Sequence, residues 1–166
     1  MDLADNASRG GTESAMAALG RIPSGLFVLT FRQNKEESAM LASWVQQCSF
    51  QPPLVSIAIR SDRPVLEWLA DGAVIMIHVL GEGQKELLSH FGKGFAPGEP
   101  PFTGIAIERS AHKPSLLVDA HAVLEVRVQD QFSAGDHTLV IGKVESGTIM
   151  HEGRPGVHVR RSGIHY

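Results

Sequence analysis

The stretch Ser38–Ile59 constrains the fold more than any other part of the chain; it reads SAMLASWVQQCSFQPPLVSIAI. It contains two runs that are typical of β-strands, Ala39–Val45 and Leu54–Ile59, and a polar connection, QQCSFQPP, lies between them. The connection carries small hydroxyl groups, backbone N–H donors and a pair of prolines, which core packing alone does not require. The stretch therefore predicts two strands whose polar link faces an anionic or planar ligand.

The rest of the chain predicts a mainly β fold with short helices. Strand patterns cover LFVLTFR, AVIMIHVL, AVLEVRVQDQF and HTLVIGKVESGTI, and hairpin-type connections join most of them. Helices are predicted over residues 15–21, after RSDRP with Ser61 or Asp62 as the N-cap, and at ELLSHFG. The Gly- and Pro-rich KGFAPGEPPFTG predicts a long loop and a candidate lid. Six to eight strands with two or three helices favour a small β-barrel over a parallel α/β fold.

Length and composition predict one soluble domain over residues 16–166, preceded by a mobile N-terminal tail over residues 1–15. No apolar run approaches the roughly 20 residues that a membrane span needs, and the polar N-terminus lacks the hydrophobic core of a signal peptide. The single cysteine fits a reducing, cytoplasmic compartment. A net charge of −3 and scattered basic residues argue against a nucleic-acid partner.

Metal and nucleophile motifs are not found in the sequence. None of the eight histidines has HxH or HExxH spacing, so no metal site is predicted. There is no GxSxG motif, and nothing near Cys48 in the sequence would lower the pKa of its thiol. Walker and GxGxxG phosphate loops are also missing.

Three serines lie near the ends of the predicted strands, namely Ser43, Ser49 and Ser61, and two arginines, Arg60 and Arg63, flank the last of them. Hydroxyl groups, backbone N–H donors and guanidinium groups at strand ends suit a single phosphate. The alternative is that these are ordinary turn and cap serines with solvated arginines. Spacing alone slightly favours that alternative.

Two ring side chains have two interpretations each. Trp44 is either a core or dimer-interface aromatic, or a wall beside a planar ring. His137 follows Gly135 and Asp136 at the start of a predicted strand, so its imidazole either lies at a barrel rim or completes a turn. Asp136 fits a turn residue better than a catalytic base.

Together these segments resemble the flavin reductase-like domain family, whose fold is an FMN-binding split β-barrel. The resemblance rests on MLASWVQQCSFQPPLVSIAI, on an SxxP stretch before a helix, and on VIMIHVLGEGQ, HFGKGFAPG and GDHTLVIGKV. The closing RSGIHY is similar to the aromatic-His ending of the family. The match covers about Ala17 to Tyr166, and its form is similar to the C-terminal module of cyanobacterial diflavin proteins.

The resemblance implies non-covalent FMN, with FAD as a possible replacement, NADH or NADPH as electron donor, and a homodimer. It assigns the isoalloxazine ring to Ser43, Trp44 and Val45, the ribityl phosphate tail to Ser49 and Phe50, and the phosphate to Ser61 and Arg63. It places His137 near the ring, where the nicotinamide is received, as the catalytic residue. It also implies that Lys93 and Phe95 close over the cofactor, and that His78 is a flavin neighbour where many members have Asn.

Three functional hypotheses follow. The first is an NAD(P)H-dependent flavin oxidoreductase that passes electrons from nicotinamide through flavin to an unidentified acceptor. The second is an FMN-binding electron-transfer module that a redox protein partner feeds and that has no nicotinamide site of its own. The third is a split barrel whose pocket has been adapted to another ligand.

Overall fold

The computed structural model describes residues 3–96, 98–161 and 163, and the chain forms two compact units. One unit comprises Met1–Ser24 and Val157–Tyr166, and the other comprises Gly25–Gly156. In the first unit a helix, α1, runs from Leu3 to Leu19. It is longer than the short helix predicted over residues 15–21 and occupies most of the predicted tail. The mobility of that tail and the domain boundary at residue 16 stay predictions.

Eleven strands and a second helix follow in the described chain. The strands are β1 (Ser24–Gly25), β2 (Phe27–Gln33), β3 (Glu36–Ala42), β4 (Val45–Phe50), β5 (Pro53–Arg60), β6 (Val74–Val79), β7 (Ile107–Glu108), β8 (Leu116–Leu117), β9 (Ala122–Ala134), β10 (His137–Ile149) and β11 (Val157–His158). A 3-10 helix spans Pro64–Trp68 and helix α2 spans Lys85–Gly92. The prediction of a mainly β chain is confirmed.

Seven of these strands form one antiparallel sheet in the order β3-β2-β6-β9-β10-β5-β4. The two edge strands, β3 and β4, are consecutive in the chain, and only Ser43 and Trp44 join them. Two residues cannot bridge the width of a flat seven-stranded sheet, because neighbouring strands lie about 4.8 Å apart. The sheet therefore curves until its two edges meet at this link.

The core of the larger unit fills the curved sheet with alternate apolar side chains. The fully buried members include Leu29, Ile57, Ile59, Ile75 and Ile77. β6, which forms most of the AVIMIHVL run, has four consecutive buried residues, so both of its faces are covered. A second cluster of buried residues includes Val28, Leu87 and Phe91, and packs α2 against the sheet.

The polar connection QQCSFQPP is not a loop, in contrast to the prediction, because most of it forms β4. β4 pairs with β5 as a hairpin around a cis Gln51–Pro52 bond, with an irregularity at Cys48. As an edge strand it exposes Gln46, Gln47 and Phe50, so its sequence lacks the apolar alternation that identifies a half-buried strand.

The remaining segments agree with the sequence except at their boundaries. Arg63, rather than Ser61 or Asp62, is the N-cap of the 3-10 helix, and Pro64 occupies its first turn. A two-residue turn at Asn34, which has φ 56°, joins β2 to β3. The predicted aromatic-His ending lies outside the described residues, apart from Arg161 and Gly163.

Candidate functional site

The Ser43–Trp44 link is the centre of the candidate site. The Ala58 amide donates to the carbonyl oxygen of Trp44 at 3.0 Å, which fixes the link against β5. Ser43 is 6% exposed, and its Oγ has no hydrogen-bond partner among the described residues. Because a buried hydroxyl without a partner costs free energy, this atom indicates that a ligand or water completes the site. The neighbouring Val45 packs against the core.

His137 meets this link from the first position of β10. Its ring centroid lies 4.8 Å from that of Trp44, with an angle of 46° between the ring planes. The imidazole is buried, with 8% of the residue exposed. Of the two interpretations of His137, this position fits the barrel rim, because β10 begins at the same end of the sheet as the Trp44 link.

Asp136 fixes the orientation of the imidazole. His137 Nδ1 lies 2.8 Å from Asp136 Oδ1, a hydrogen-bond distance at which the ring N–H donates to the carboxylate. The hydrogen bond from His137 and then its charge hold the pKa of the Asp136 carboxyl below its ordinary value. With Nδ1 carrying the shared proton, the neutral imidazole has Nε2 as its acceptor nitrogen.

A polar rim surrounds His137 and includes the predicted Ser61. Ser61 Oγ and Thr138 Oγ1 are 3.1 Å apart, and the Ser61 amide donates to the Asp136 carbonyl at 3.0 Å. Arg60 is paired with Asp62 at 2.7 Å, so its charge is partly neutralised. Arg63 is exposed beside them and has no carboxylate partner among the described residues.

Ser49 and Phe50 lie at the opposite end of β5 from this rim. Ser49 pairs with Leu54, whereas Ser61 follows Arg60 at the end of the strand. At about 3.3 Å per residue, Ser49 and Ser61 are roughly 20 Å apart. One phosphate therefore cannot contact both serines of the same chain, and the single cluster that the serine spacing suggested is not formed. Phe50 is 90% exposed.

Lys93 and Phe95 follow α2, whose last residue, Gly92, lies close to β3. A Cβ atom on Gly92 would lie 3.6 Å from Leu41 Cδ2, so the end of α2 contacts the strand that leads into Ser43. The ring of Phe95 lies 5.9 Å from that of Phe91, and Lys93 Nζ lies 5.8 Å from the Phe95 ring centroid. Phe95 is therefore half-buried in the α2 cluster, while Lys93 is exposed.

His78 is a core residue, and this corrects its assignment as a flavin neighbour. It is fully buried; its Nδ1 lies 3.0 Å from the Val28 carbonyl, and the Leu117 amide donates to its Nε2 at 3.0 Å. Burial lowers the pKa of His78 to about 4, so the ring is neutral, with Nδ1 as donor and Nε2 as acceptor. Both nitrogens are used by the backbone, and no polar atom remains for a ligand.

The sequence did not identify Asp136 as the partner of His137, or Thr138 as the partner of Ser61. An acidic residue directly before a strand histidine could have indicated the first pair. The second depends on the pairing of β5 with β10, which no local pattern gives. Among the described residues, no group of acidic, His or Cys side chains could hold a metal ion. In the same part of the chain, no helix is both long and apolar enough to cross a membrane.

Comparison with known proteins places these features in one family. The model of the flavin reductase like domain matches residues 19–163. A putative diflavin flavoprotein A 6 from Nostoc sp. (strain PCC 7120 / SAG 25.82 / UTEX 2576) is 42% identical over 151 residues, which are 90% of this chain and 26% of the relative. The chain thus spans about a quarter of the length of the curated relatives that it matches.

Solved structures give the same result. The Streptomyces globisporus C-1027 NADH:FAD oxidoreductase SgcE6 has a TM-score of 0.76 and 27% identity, covering 85% of this chain and 84% of that one. A second structure of it, in complex with NAD and FAD fragments, has a TM-score of 0.74 and 26% identity over the same shares. The styrene monooxygenase flavin reductase SMOB of Pseudomonas putida S12 has a TM-score of 0.71 and 26% identity, covering 86% of this chain and 90% of that one. The predicted flavin reductase split barrel is confirmed, and the chain belongs to the flavin reductase-like domain family.

Proposed function

We propose that this protein is an FMN-binding, NAD(P)H-dependent flavin oxidoreductase, in which FAD can replace FMN. Family membership supports flavin reduction in general. The names of two similar structures, an NADH:FAD oxidoreductase and a monooxygenase flavin reductase, support a nicotinamide donor and a flavin acceptor.

The observation that carries the proposal is the buried Ser43 hydroxyl. Ser43 is next to Trp44 in the chain, and the Trp44 ring contacts the His137 ring. The unpartnered Ser43 Oγ and two planar rings are therefore close together. A flavin ring has a polar pyrimidine edge and two apolar faces, and these residues fit both. The Ser61 hydroxyl and the Arg63 guanidinium at the adjacent rim provide donors for a phosphate.

Bound flavin supplies the hydride chemistry, which the protein does not need to perform itself. Ser43 would hold the polar edge of the ring with its hydroxyl, and Trp44 would provide an apolar wall. Asp136 keeps the proton of His137 on Nδ1, so that Nε2 faces away from the carboxylate. His137 would then orient the nicotinamide, and its burial would exclude water from that position.

We also propose a homodimer in the cytoplasm. The family resemblance implies the dimer, and the 90% exposed Phe50 ring on an edge strand is the kind of apolar surface that a second copy covers. Light scattering after gel filtration would test the dimer, and a monomeric mass would reject it.

A second candidate function is the electron-transfer module that a protein partner feeds. The contact between Trp44 and His137 favours it, because the indole ring occupies space beside the imidazole where a nicotinamide would otherwise fit. In that case the chain binds flavin but does not oxidise NADH or NADPH by itself.

One experiment separates the two candidates. Purified protein is mixed with FMN under anaerobic conditions, NADH or NADPH is added, and the visible flavin absorbance is followed. The oxidoreductase bleaches the flavin with at least one of the nicotinamides. Flavin that is bound but stays oxidised with both supports the module, and protein that leaves FMN fluorescence unquenched contradicts both candidates.

A further inference from the structure

His137 and Trp44 both project from the outer face of the curved sheet. Side chains alternate between the two faces of a strand, and Val140 belongs to the core, so His137, three residues before it on β10, points outward. Val45 packs against the same core, so Trp44, the residue before it, also points outward. The Ala58 amide binds the Trp44 carbonyl at 3.0 Å, which fixes the backbone of the link against β5. The two rings therefore meet outside the packed core.

His137 is buried although it points outward. Only 8% of the residue is exposed. A side chain on the outer face is covered only when another group lies over it, and the Trp44 ring, with its centroid 4.8 Å from that of the imidazole, is such a group. The separation and the 46° tilt between the ring planes lie in the range where aromatic rings attract one another. The indole thus covers one side of the imidazole.

Trp44 can leave this position without disturbing the core. Its side chain is half-buried, and in the described part of the chain neither core cluster includes it, whereas Trp68 packs against the larger cluster. An aromatic pair of this kind favours the contact by only roughly two- to tenfold. Rotation about the side-chain bonds would move the indole while the hydrogen bond from Ala58 keeps the backbone in place.

The nicotinamide that His137 would orient needs a place beside the imidazole. Indole and nicotinamide are both planar rings, and each needs about 3.5 Å of separation from the ring that it contacts. The two cannot occupy the same side of His137 at once. Binding of the donor on the side that Trp44 covers therefore requires the indole to move.

We propose that Trp44 is a gate for the nicotinamide: its indole rests on His137 in the ligand-free protein and rotates away when the donor binds. The inference rests on the proposed function and adds to it the control of donor access. The donor binds only to the fraction of molecules in which the indole is displaced, so its apparent affinity is lowered in proportion to that fraction. A two- to tenfold preference for the contact lowers the affinity roughly three- to tenfold.

The first test measures the binding of NAD⁺, which occupies the donor site without transferring a hydride. Calorimetric titration of FMN-saturated protein gives the Kd for each variant. Trp44→Ala should bind NAD⁺ roughly three- to tenfold more tightly than the unmodified protein, and Trp44→Phe, which keeps a smaller ring, should show less of this gain. Phe132→Ala is the matched control and should leave the Kd unchanged. It removes a half-exposed ring opposite Leu139, two residues along β10 from His137.

The second test observes the gate in the unmodified protein, so it does not depend on the folding of a variant. The chain has two tryptophans, and the Trp44→Phe spectrum identifies the NMR signals of Trp44. The nuclear Overhauser effect between the Trp44 and His137 rings should be present in the FMN-saturated protein and lost when NAD⁺ is added. An effect that persists at saturating NAD⁺ overturns the proposal.

The outcomes separate the gate from the proposed function. An unmodified protein that reduces flavin with NADH and binds NAD⁺ as tightly as Trp44→Ala keeps the function and overturns the gate. Binding of NAD⁺ to Trp44→Ala alone supports the gate and rejects the oxidoreductase, because the indole then excludes the donor. If neither protein binds NAD⁺, there is no donor site for Trp44 to control, and the gate is overturned.

Discussion

The ring of Trp44 lies 4.8 Å from the ring of His137, although 93 positions separate the two residues in the chain. β5 brings them together, because the Ala58 amide binds the Trp44 carbonyl on one side and β10 pairs with β5 on the other. The link that closes the sheet and the first residue of β10 therefore form one site.

His137→Ala should slow NADH-dependent flavin reduction more than it weakens FMN binding. Loss of the imidazole leaves the Ser43–Trp44 link intact but removes the group that would orient the nicotinamide. We expect the reduction rate to fall roughly ten- to hundredfold, in line with the cost of small misplacements of reacting groups. Stopped-flow absorbance gives the rate and fluorescence titration gives the Kd for FMN.

Trp44→Phe is the matched control for this variant, since it keeps an aromatic ring beside His137 and should preserve most of the rate. If His137→Ala instead weakens FMN binding more than it slows reduction, His137 contacts the flavin itself and does not serve the nicotinamide.

Ser43→Ala should weaken flavin binding without destabilising the ligand-free protein. The hydroxyl is buried without a partner, so removing it relieves the free energy cost of its desolvation in the ligand-free protein. In the complex, the same substitution removes the hydrogen bond between the hydroxyl and the flavin. We expect the free energy of unfolding to stay equal or rise by up to about 1 kcal/mol, and the binding free energy to fall by about 1 kcal/mol. Urea unfolding and FMN titration measure the two quantities.

Thr30→Val provides the contrast, because the Thr30 hydroxyl is also buried but donates to the Ser115 carbonyl at 2.8 Å. That variant should lose stability and keep its flavin affinity. A Ser43→Ala protein that unfolds more easily than the unmodified protein would show that the hydroxyl has a structural partner.

The sequence predicted the mainly β fold because the signals of its strands are local, and the turn before His137 is a local signal of the same kind. The β2 and β9 patterns alternate or are rich in β-formers, and His137 directly follows a Gly135-Asp136 turn. The resemblance added the split barrel, which comparison with solved structures confirmed.

The parts that sequence did not predict depend on tertiary pairing. β4 was taken for a loop because an edge strand needs no apolar face, so its residues carry no periodic signal. In the sequence, Ser49 and Ser61 both lie near the ends of predicted strands. Only the register of β4 against β5 shows that Ser49 lies beside the first residues of β5, whereas Ser61 follows its last residue. His78 was assigned to the flavin by position, whereas backbone partners on two other segments occupy both of its nitrogens.

Acid should destabilise the protein through His78. The pKa of its imidazole is about 4 in the folded protein and 6.5 in the unfolded chain, so above pH 6.5 both states are neutral and the full stability is present. Between pH 6.5 and about 4 the unfolded state binds the proton first. The free energy of unfolding therefore falls with decreasing pH, by up to about 3 kcal/mol in total.

Urea unfolding at a series of pH values measures this slope. His78→Asn should be less stable at neutral pH but should lose less stability between pH 6.5 and 4, because an amide does not titrate. His112→Asn, at an exposed turn, is the control and should keep the original slope. Equal slopes in the His78→Asn variant and the unmodified protein would exclude His78 as the source.

Arg63→Ala and Ser49→Ala should have different effects on flavin binding, because the two side chains lie at opposite ends of β5. Arg63 follows Ser61, whose amide binds the Asp136 carbonyl beside His137, so we expect Arg63 rather than Ser49 to bind a phosphate near the ring site. Arg63→Ala should weaken FMN by roughly 1–2 kcal/mol, the range of a hydrogen bond to a charged group, and leave riboflavin, which lacks the phosphate, unaffected. Ser49→Ala should change neither ligand. Fluorescence titration with both flavins gives the four affinities, and a loss of FMN affinity in Ser49→Ala alone would move the phosphate to the β4 end of the barrel.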